Sequence, residues 1–162
     1  VIDVVRIVCI SDTHEQHRRI EVPDGDVLVH AGDITYHGDP AAIADFDAWL
    51  GTLPHPHKIV IAGNHDFAFE RDPGAAALLA HAHYLQDGGI ELAGLRFWGS
   101  PWQPRFFDWA FNLDRGPALA AVWAKIPEGT DVLVVHGPPH GILDRTHAGV
   151  SAGCEELERR LR

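Results

Sequence analysis

Seven side chains able to bind a metal ion stand at four separated places in the sequence. Asp12 and His14 fall in Ser11-Asp12-Thr13-His14, Asp33 follows Gly32, and Asn64, His65 and Asp66 follow Gly63. His136 precedes Gly137-Pro138-Pro139. Carboxylate and amide oxygens with imidazole nitrogens suit borderline divalent ions such as Mn, Fe, Co, Ni or Zn, and the lack of a thiolate among them argues against a closed structural zinc site. If these groups meet, one carboxylate could ligate two ions held roughly 3.5–4 Å apart. Such a pair binds a phosphate and acidifies a water that attacks phosphorus in line. The chemistry would be phosphoester hydrolysis. Taken singly the pieces say less: Asp-x-His is a weak signal, and Gly-Asn-His-Asp alone reads as a tight turn.

Each cluster follows an apolar run: "VRIVCI", "DVLVHA", "KIVIA" and "DVLVV". The runs are continuous rather than alternating, which suits strands covered on both faces in a mostly parallel or mixed sheet. Ligands of such sheets bind beyond the carboxyl ends of the strands, so the four clusters could converge. Helical patterns lie between them. Asp39-Pro40 reads as an N-cap and first-turn proline, with Ile43, Phe46, Trp49 and Leu50 on one face and Gly51 after it. Asp72-Pro73 opens a shorter segment carrying Leu78 and Leu79, Pro117 opens a third with Leu119, Val122, Trp123 and Ile126, and "EELERRLR" is a fourth with Leu157 and Leu161. "GIELAGLRFWGS" reads as a hairpin turning near Ala93-Gly94. No repeat, low-complexity tract or linker interrupts the chain, and the expectation is one layered α/β domain over residues 1–162.

The composition bounds the function. With 46% hydrophobic residues, five Trp and seven Phe, the chain can bury a core, and no apolar run reaches the roughly 18 residues of a membrane span. A net charge of −10 without a basic run disfavours broad nucleic-acid binding. A small phosphorylated ligand stays open if metal ions supply positive charge. Cys9 and Cys154 imply no bridge, and "VIDVVRIVCI" lacks the basic start of a signal peptide, so a reducing cytoplasm is expected. The chain contains no Met and begins with Val1, so its numbering is not expected to start at a native initiator.

The ordered set Asp-x-His, Gly-Asp, Gly-Asn-His-Asp and a strand-terminal His-Gly resembles the calcineurin-like metallophosphoesterase superfamily. "GSPWQPRFFDWAFNLDRG", "IPEGTDVLVVHGPPHGILD" and "GCEEL" resemble its small metallophosphoesterase-domain branch, related to class III cyclic-nucleotide phosphodiesterases. The resemblance covers nearly the whole chain. It implies a four-layer α/β/β/α sandwich with mixed sheets and two divalent ions. Asp12 and His14 would ligate the first ion, Asp33 would bridge both, and Asn64 and His136 would ligate the second. His65 would stabilise the transition state or protonate the leaving oxygen, with Asp66 orienting its ring. The implied activity is hydrolysis of small phosphodiesters, including nucleotides, by a hydroxide held between the ions. The rival is a catalytically weak or inactive nucleotide-binding protein that retains the fold, and a nuclease is disfavoured by the acidic balance.

The superfamily pattern ends in Gly-His-x-His on a later strand, and this sequence has no such motif. The last strands of the sandwich are therefore expected to be missing, leaving an open sheet edge. A portion of a longer protein, a homodimer or other strand-completing partner, and a natural short form all fit that expectation. Among the remaining residues, His140, Trp102 and Arg115 are the candidates for touching substrate. Tyr36, His37 and Arg105 are weaker ones, and the other aromatics of residues 97–111 read as core. His30 reads as a satisfied core histidine, and His55, His57, His81 and His83 as surface residues.

Overall fold

β-Branched and aliphatic residues form four parallel strands: β1 (Ile7–Ile10), β2 (Val27–His30), β3 (His57–Val60) and the short β4 (His83–Tyr84), in the order β1-β2-β3-β4. Ile10 pairs with His30, which pairs with Val60, so the first three strands end level and release their polar loops from one edge. A second sheet holds the antiparallel hairpin β5 (Gly88–Leu92) and β6 (Leu95–Ser100). Its turn places Ala93 and Gly94 at φ of 51° and 76°, the left-handed pair that a two-residue hairpin requires. After the small ribbon of β7 (Gln103–Pro104) and β8 (Asn112–Leu113), strand β9 (Val132–Val135) joins β6 in parallel. The computed structural model describes residues 4–162; residues 1–3, part of the segment read for a leader, lie outside the described residues.

Alternation along the strands assigns the layers. Val27, Val29, Ile59 and Ile61 point between the sheets and meet Phe97 and Val134. Leu28 and Val60 point the other way, onto Ile43, Phe46 and Leu50 of α1 (Pro40–Thr52) and Phe69 of α2 (Phe67–Arg71). On the far side, Trp98, Leu133 and Val135 meet Leu119 and Trp123 of α3 (Pro117–Trp123) and Leu157 of α4 (Glu155–Leu161). The result is the expected α/β/β/α layering, and burial on both faces is why the strands read as continuous apolar runs.

The Asp39 carboxylate caps α1 by accepting from the Ala41 N–H at 2.8 Å, with Pro40 in the first turn. Gly51 lies inside the last turn rather than after it. The Asp72-Pro73 segment is shorter than the pattern suggested, a 3₁₀ turn at Ala75–Leu78 with Leu79 buried and Leu78 outside. Helix α2, which starts directly after Asp66, had no sequence signal of its own. Ile126 lies past the end of α3 yet joins the same cluster, while Leu161 is exposed. Among the described residues no helix is long and apolar enough to cross a membrane.

Of the histidines read from the sequence, His30 is buried and His81 and His83 are exposed as expected, and His55 departs from expectation. His55 is buried, not at the surface, and its Nε2 meets the Pro23 carbonyl at 3.0 Å. His57 lies half-buried in β3, His83 is exposed in β4, and His81 Nδ1 pairs with Asp47 at 2.8 Å. His30 is fully buried, its Nε2 3.0 Å from Thr13 Oγ1 and its Nδ1 accepting from the Gly32 N–H. Burial drives its pKa from 6.5 down to about 3, helped by the charges of His136, His17 and His14. Because the folded value lies below the unfolded one, the stability held in neutral His30 is full above pH 6.5 and drains away as pH falls toward 3. In chelator, the wild type should lose roughly 1 kcal/mol more per pH unit below that point than His30→Gln. Parallel urea midpoints for the two proteins would contradict this.

Candidate metal centre

The loop after β1 lies against the loop after β2 through three backbone bonds: Asp12 N–H to the Gly32 carbonyl, His14 N–H to that of Asp33, and Glu15 N–H to that of Ile34, at 2.8–3.0 Å. This path puts Asp12, His14, Glu15 and Asp33 at φ of 53°, 41°, 61° and 59°. Left-handed backbone costs a non-glycine residue about 1–2 kcal/mol, so the strain is concentrated where the polar side chains must be aimed.

Gly63 is required for a different reason. A Cβ there would strike the Asp33 carboxylate and backbone N and come within 2.8 Å of His136 Cε1. Gly63→Ala should therefore cost about 1–3 kcal/mol of stability and weaken metal binding at least about tenfold. Thermal melts and a metal titration check both, and wild-type values in both would show that the loops yield.

Asp33, almost fully buried, is the hub. His14 Nε2 stands 3.6 Å and His65 Nε2 4.0 Å from its Oδ2, and His136 Nε2 stands 3.5 Å from its Oδ1. Each ring is held from behind, with Nδ1 of His14, His65 and His136 at 3.2, 3.0 and 2.8 Å from the carbonyls of Thr35, Tyr36 and Ala31. A carbonyl can only accept, so each Nδ1 carries a proton and donates it, and Nε2 is the ring atom turned toward the Asp33 carboxylate. A cation placed between such a nitrogen and a carboxylate oxygen would be ligated by both.

The spacings suit one. Two donors at ~2.1 Å from an ion lie about 3.0 Å apart at a right angle and about 3.4 Å apart at the tetrahedral angle. The separations from Asp33 to His14 and His136 are close to the second value, and the 2.9 Å from His136 Nε2 to Asn64 Oδ1 is close to the first. The oxygen and nitrogen donors present therefore fit divalent ions.

Two groups of ligand atoms lie within 4.8 Å of one another: His14, Asp33 and His65, and Asp12, Asp33 and His136. Asp33 is common to both, as a bridging carboxylate must be. The remaining residues divide differently from the resemblance, with His65 beside His14 and Asp12 beside His136. The Asp12 carboxylate is exposed and accepts from the Ser11 hydroxyl.

Asp66 requires a correction. Its carboxylate does not orient the His65 ring, which the Tyr36 carbonyl holds. It is fully buried and accepts from the N–H groups of Ile34, Thr35 and Gly63 and from the Thr35 hydroxyl, all at 2.8–3.1 Å. Burial pushes this carboxyl upward against the pull of those donors. Asp66 thus fixes the loops after β2 and β3 to each other.

A cleft of about 630 Å³ opens beside Asn64. Arg115 lines it, but its guanidinium donates to the carbonyls of Gly153 and Ala152 at 2.8 and 3.1 Å. Arg105 lines it too and pairs with Asp114. Trp102 packs between core layers and donates its indole N–H to Asp87 at 3.2 Å, so the structure does not bring it to the centre. His140 is exposed in a neighbouring hollow with Asp144 and Ser151. Tyr36 stacks on His14 at 5.3 Å between ring centroids, and His37 is exposed. Trp109, read from the sequence as core, lines the cleft and packs on the His65 ring at 5.0 Å. The signal that could have found it is its place in "RFFDWAF", where aromatics crowd one loop beside polar residues.

A family model described as calcineurin-like phosphoesterase matches residues 5–162. The human and mouse proteins named metallophosphoesterase domain-containing protein 1 are each 43% identical over 177 residues, which cover 94% of this chain and 54% of theirs. The UPF0046 protein T07D4.2 of Caenorhabditis elegans is 40% identical over 186 residues, covering 96% of this chain and 47% of its own. The chain thus spans about half the length of these relatives. The crystal structure of TT1561 of Thermus thermophilus superimposes with a TM-score of 0.60 over 96% of this chain and 76% of that one, at 16% identity. That likeness is one of fold.

Proposed function

Because the chain belongs to the calcineurin-like phosphoesterase family, we propose that it is the core of a metal-dependent phosphodiesterase that hydrolyses small phosphodiesters. The observation that carries this reading is the convergence of three imidazole Nε2 atoms on the Asp33 carboxylate, each ring held from behind by an Nδ1 contact to a backbone carbonyl. Following the resemblance, Asp12 and His14 would hold one divalent ion, Asn64 and His136 a second, and Asp33 both, with the Asp12 carboxylate also within 4.8 Å of the His136 ligand atom. When bound, the pair supplies charge for the phosphate oxygens and lowers the pKa of a water for in-line attack.

His65 then has the proton-transfer role. Its Nδ1 is occupied by the Tyr36 carbonyl, so Nε2 is the atom that can take up a proton and return it to the leaving oxygen. Asp66 ties the loop after β3 to the loop after β2, and the His65 backbone N–H donates to Asp33 Oδ1 at 2.9 Å. The acidic surface favours small diesters over long nucleic acids, and the unpaired Cys9 and Cys154 agree with a reducing cytoplasm.

The test is hydrolysis of a chromogenic phosphodiester with and without Mn²⁺, with Asp33→Ala as blank. Turnover that requires both the metal and Asp33 is the expected result. Metal binding without turnover above the blank would instead identify a phosphate-binding protein that has kept the fold.

A further inference from the structure

The loop after β2 turns two neighbouring carbonyls toward the centre, that of Thr35 on His14 Nδ1 at 3.2 Å and that of Tyr36 on His65 Nδ1 at 3.0 Å. The two rings stand edge to face with centroids 4.8 Å apart. A short piece of backbone therefore sets a candidate metal ligand and the proton-transfer ring relative to each other. Its buried side is fixed by Asp66, which accepts from the Thr35 N–H and hydroxyl at 2.9 Å each, and the same hydroxyl oxygen accepts from the Gly38 N–H at 2.8 Å.

The exposed side is fixed by Glu15, which carried no sequence signal. Its backbone N–H donates to the Ile34 carbonyl at 2.8 Å, and its carboxylate Oε1 accepts from the Tyr36 N–H at 3.0 Å. The path holds Glu15 at a φ of 61°, in the left-handed region that a non-glycine residue enters only under strain. Glu15 and Tyr36 are both exposed, so water could satisfy the same N–H and the bond adds little to folding. Strain held for a bond that stability does not need is characteristic of functional sites.

The Tyr36 N–H and the Thr35 carbonyl are the two ends of one peptide group. A carboxylate on the N–H makes the carbonyl oxygen at the other end a stronger acceptor, because hydrogen bonds in series polarise one another. That carbonyl accepts the Nδ1 proton of His14. The line from Glu15 through the peptide to His14 thus does what a carboxylate placed directly behind a metal-binding imidazole does, orienting the ring and raising the basicity of Nε2. Tyr36 steadies the arrangement, its ring stacked on His14 at 5.3 Å and its hydroxyl accepting from Gln16 Nε2 at 2.6 Å.

We propose that Glu15 is a positioning residue of the metal centre, acting on His14 across the Thr35–Tyr36 peptide group so that Nε2 is aimed and made basic for a divalent ion. This rests on the metal-dependent reading above and adds a residue that tunes the site from outside the ligand set.

Glu15→Ala removes the acceptor of the Tyr36 N–H, whereas Glu15→Gln keeps an oxygen in its place. Calorimetric titration with Mn²⁺ reads the effect without turnover. Glu15→Ala should bind Mn²⁺ at least about tenfold less tightly than wild type, the usual loss when such a support is removed. Glu15→Gln should recover most of that loss, since a neutral amide oxygen makes the same bond at roughly half the strength. Urea midpoints of the three proteins in chelator should coincide. Wild-type Mn²⁺ affinity in Glu15→Ala would overturn the proposal. Glu15→Gln as weak as Glu15→Ala would also overturn it, by assigning the effect to negative charge acting directly on the ion. A lowered chelator midpoint in Glu15→Ala would overturn it by making Glu15 a strut of the fold. Absence of Mn²⁺ binding in the wild type would remove the metal-dependent reading itself and this proposal with it.

Discussion

An Asp66→Ala variant is expected to lose about 3–5 kcal/mol of folding stability and to lose the metal centre with it. The substitution strips four buried donors, the N–H groups of Ile34, Thr35 and Gly63 and the Thr35 hydroxyl, of their acceptor at one stroke. Each orphaned donor carries a desolvation cost of about 1–3 kcal/mol unless water enters. The carboxylate is fully buried, so water reaches that position only if the loops after β2 and β3 separate. Separation moves Asp33 away from Asn64 and His136. Urea denaturation measures the first effect and metal titration the second. Wild-type metal affinity in a destabilised Asp66→Ala protein would mean that the two loops are positioned independently.

The second large effect is a dissociation between two neighbours. Asp33→Ala removes the carboxylate shared by both groups of ligand atoms, and turnover should fall at least about a thousandfold together with metal binding, the scale of several kcal/mol of lost stabilisation. His65→Ala should lower turnover by about 10²–10⁴, the usual worth of general acid–base catalysis, while metal affinity stays within about threefold. The comparison matters because His65 lies within ligand reach of Asp33 and His14. Loss of metal from His65→Ala as severe as from Asp33→Ala would make His65 a ligand and leave the proton-transfer role unfilled.

Much of this arrangement was legible in the sequence because it follows from short-range rules. Continuous runs such as "DVLVHA" are what a strand buried on both faces looks like, and Leu28 and Val29 indeed pack into different layers. Asp39-Pro40 and Ala93-Gly94 carry their turn and cap chemistry locally, and both behaved as read. What the sequence concealed depends on tertiary contacts. That Asp66 ties two loops together rather than touching His65 depends on where the loop after β2 comes to rest. The burial of His55 depends on the Pro23 carbonyl, 32 residues away in the chain. Trp102 and Trp109 lie close together in one aromatic segment, yet one packs among core layers and the other lines the cleft. Residue type alone does not separate them, because an indole suits either place.

The most direct test of the account is the number of Mn²⁺ ions bound per chain, measured by equilibrium dialysis of the wild type and Asp33→Ala side by side. The account predicts about two ions in the wild type and loss of both at the same free concentration when Asp33 is removed. Equal occupancy in the two proteins would contradict it, because His14, Asn64 and His136 would then be gathered around Asp33 for some purpose other than holding metal.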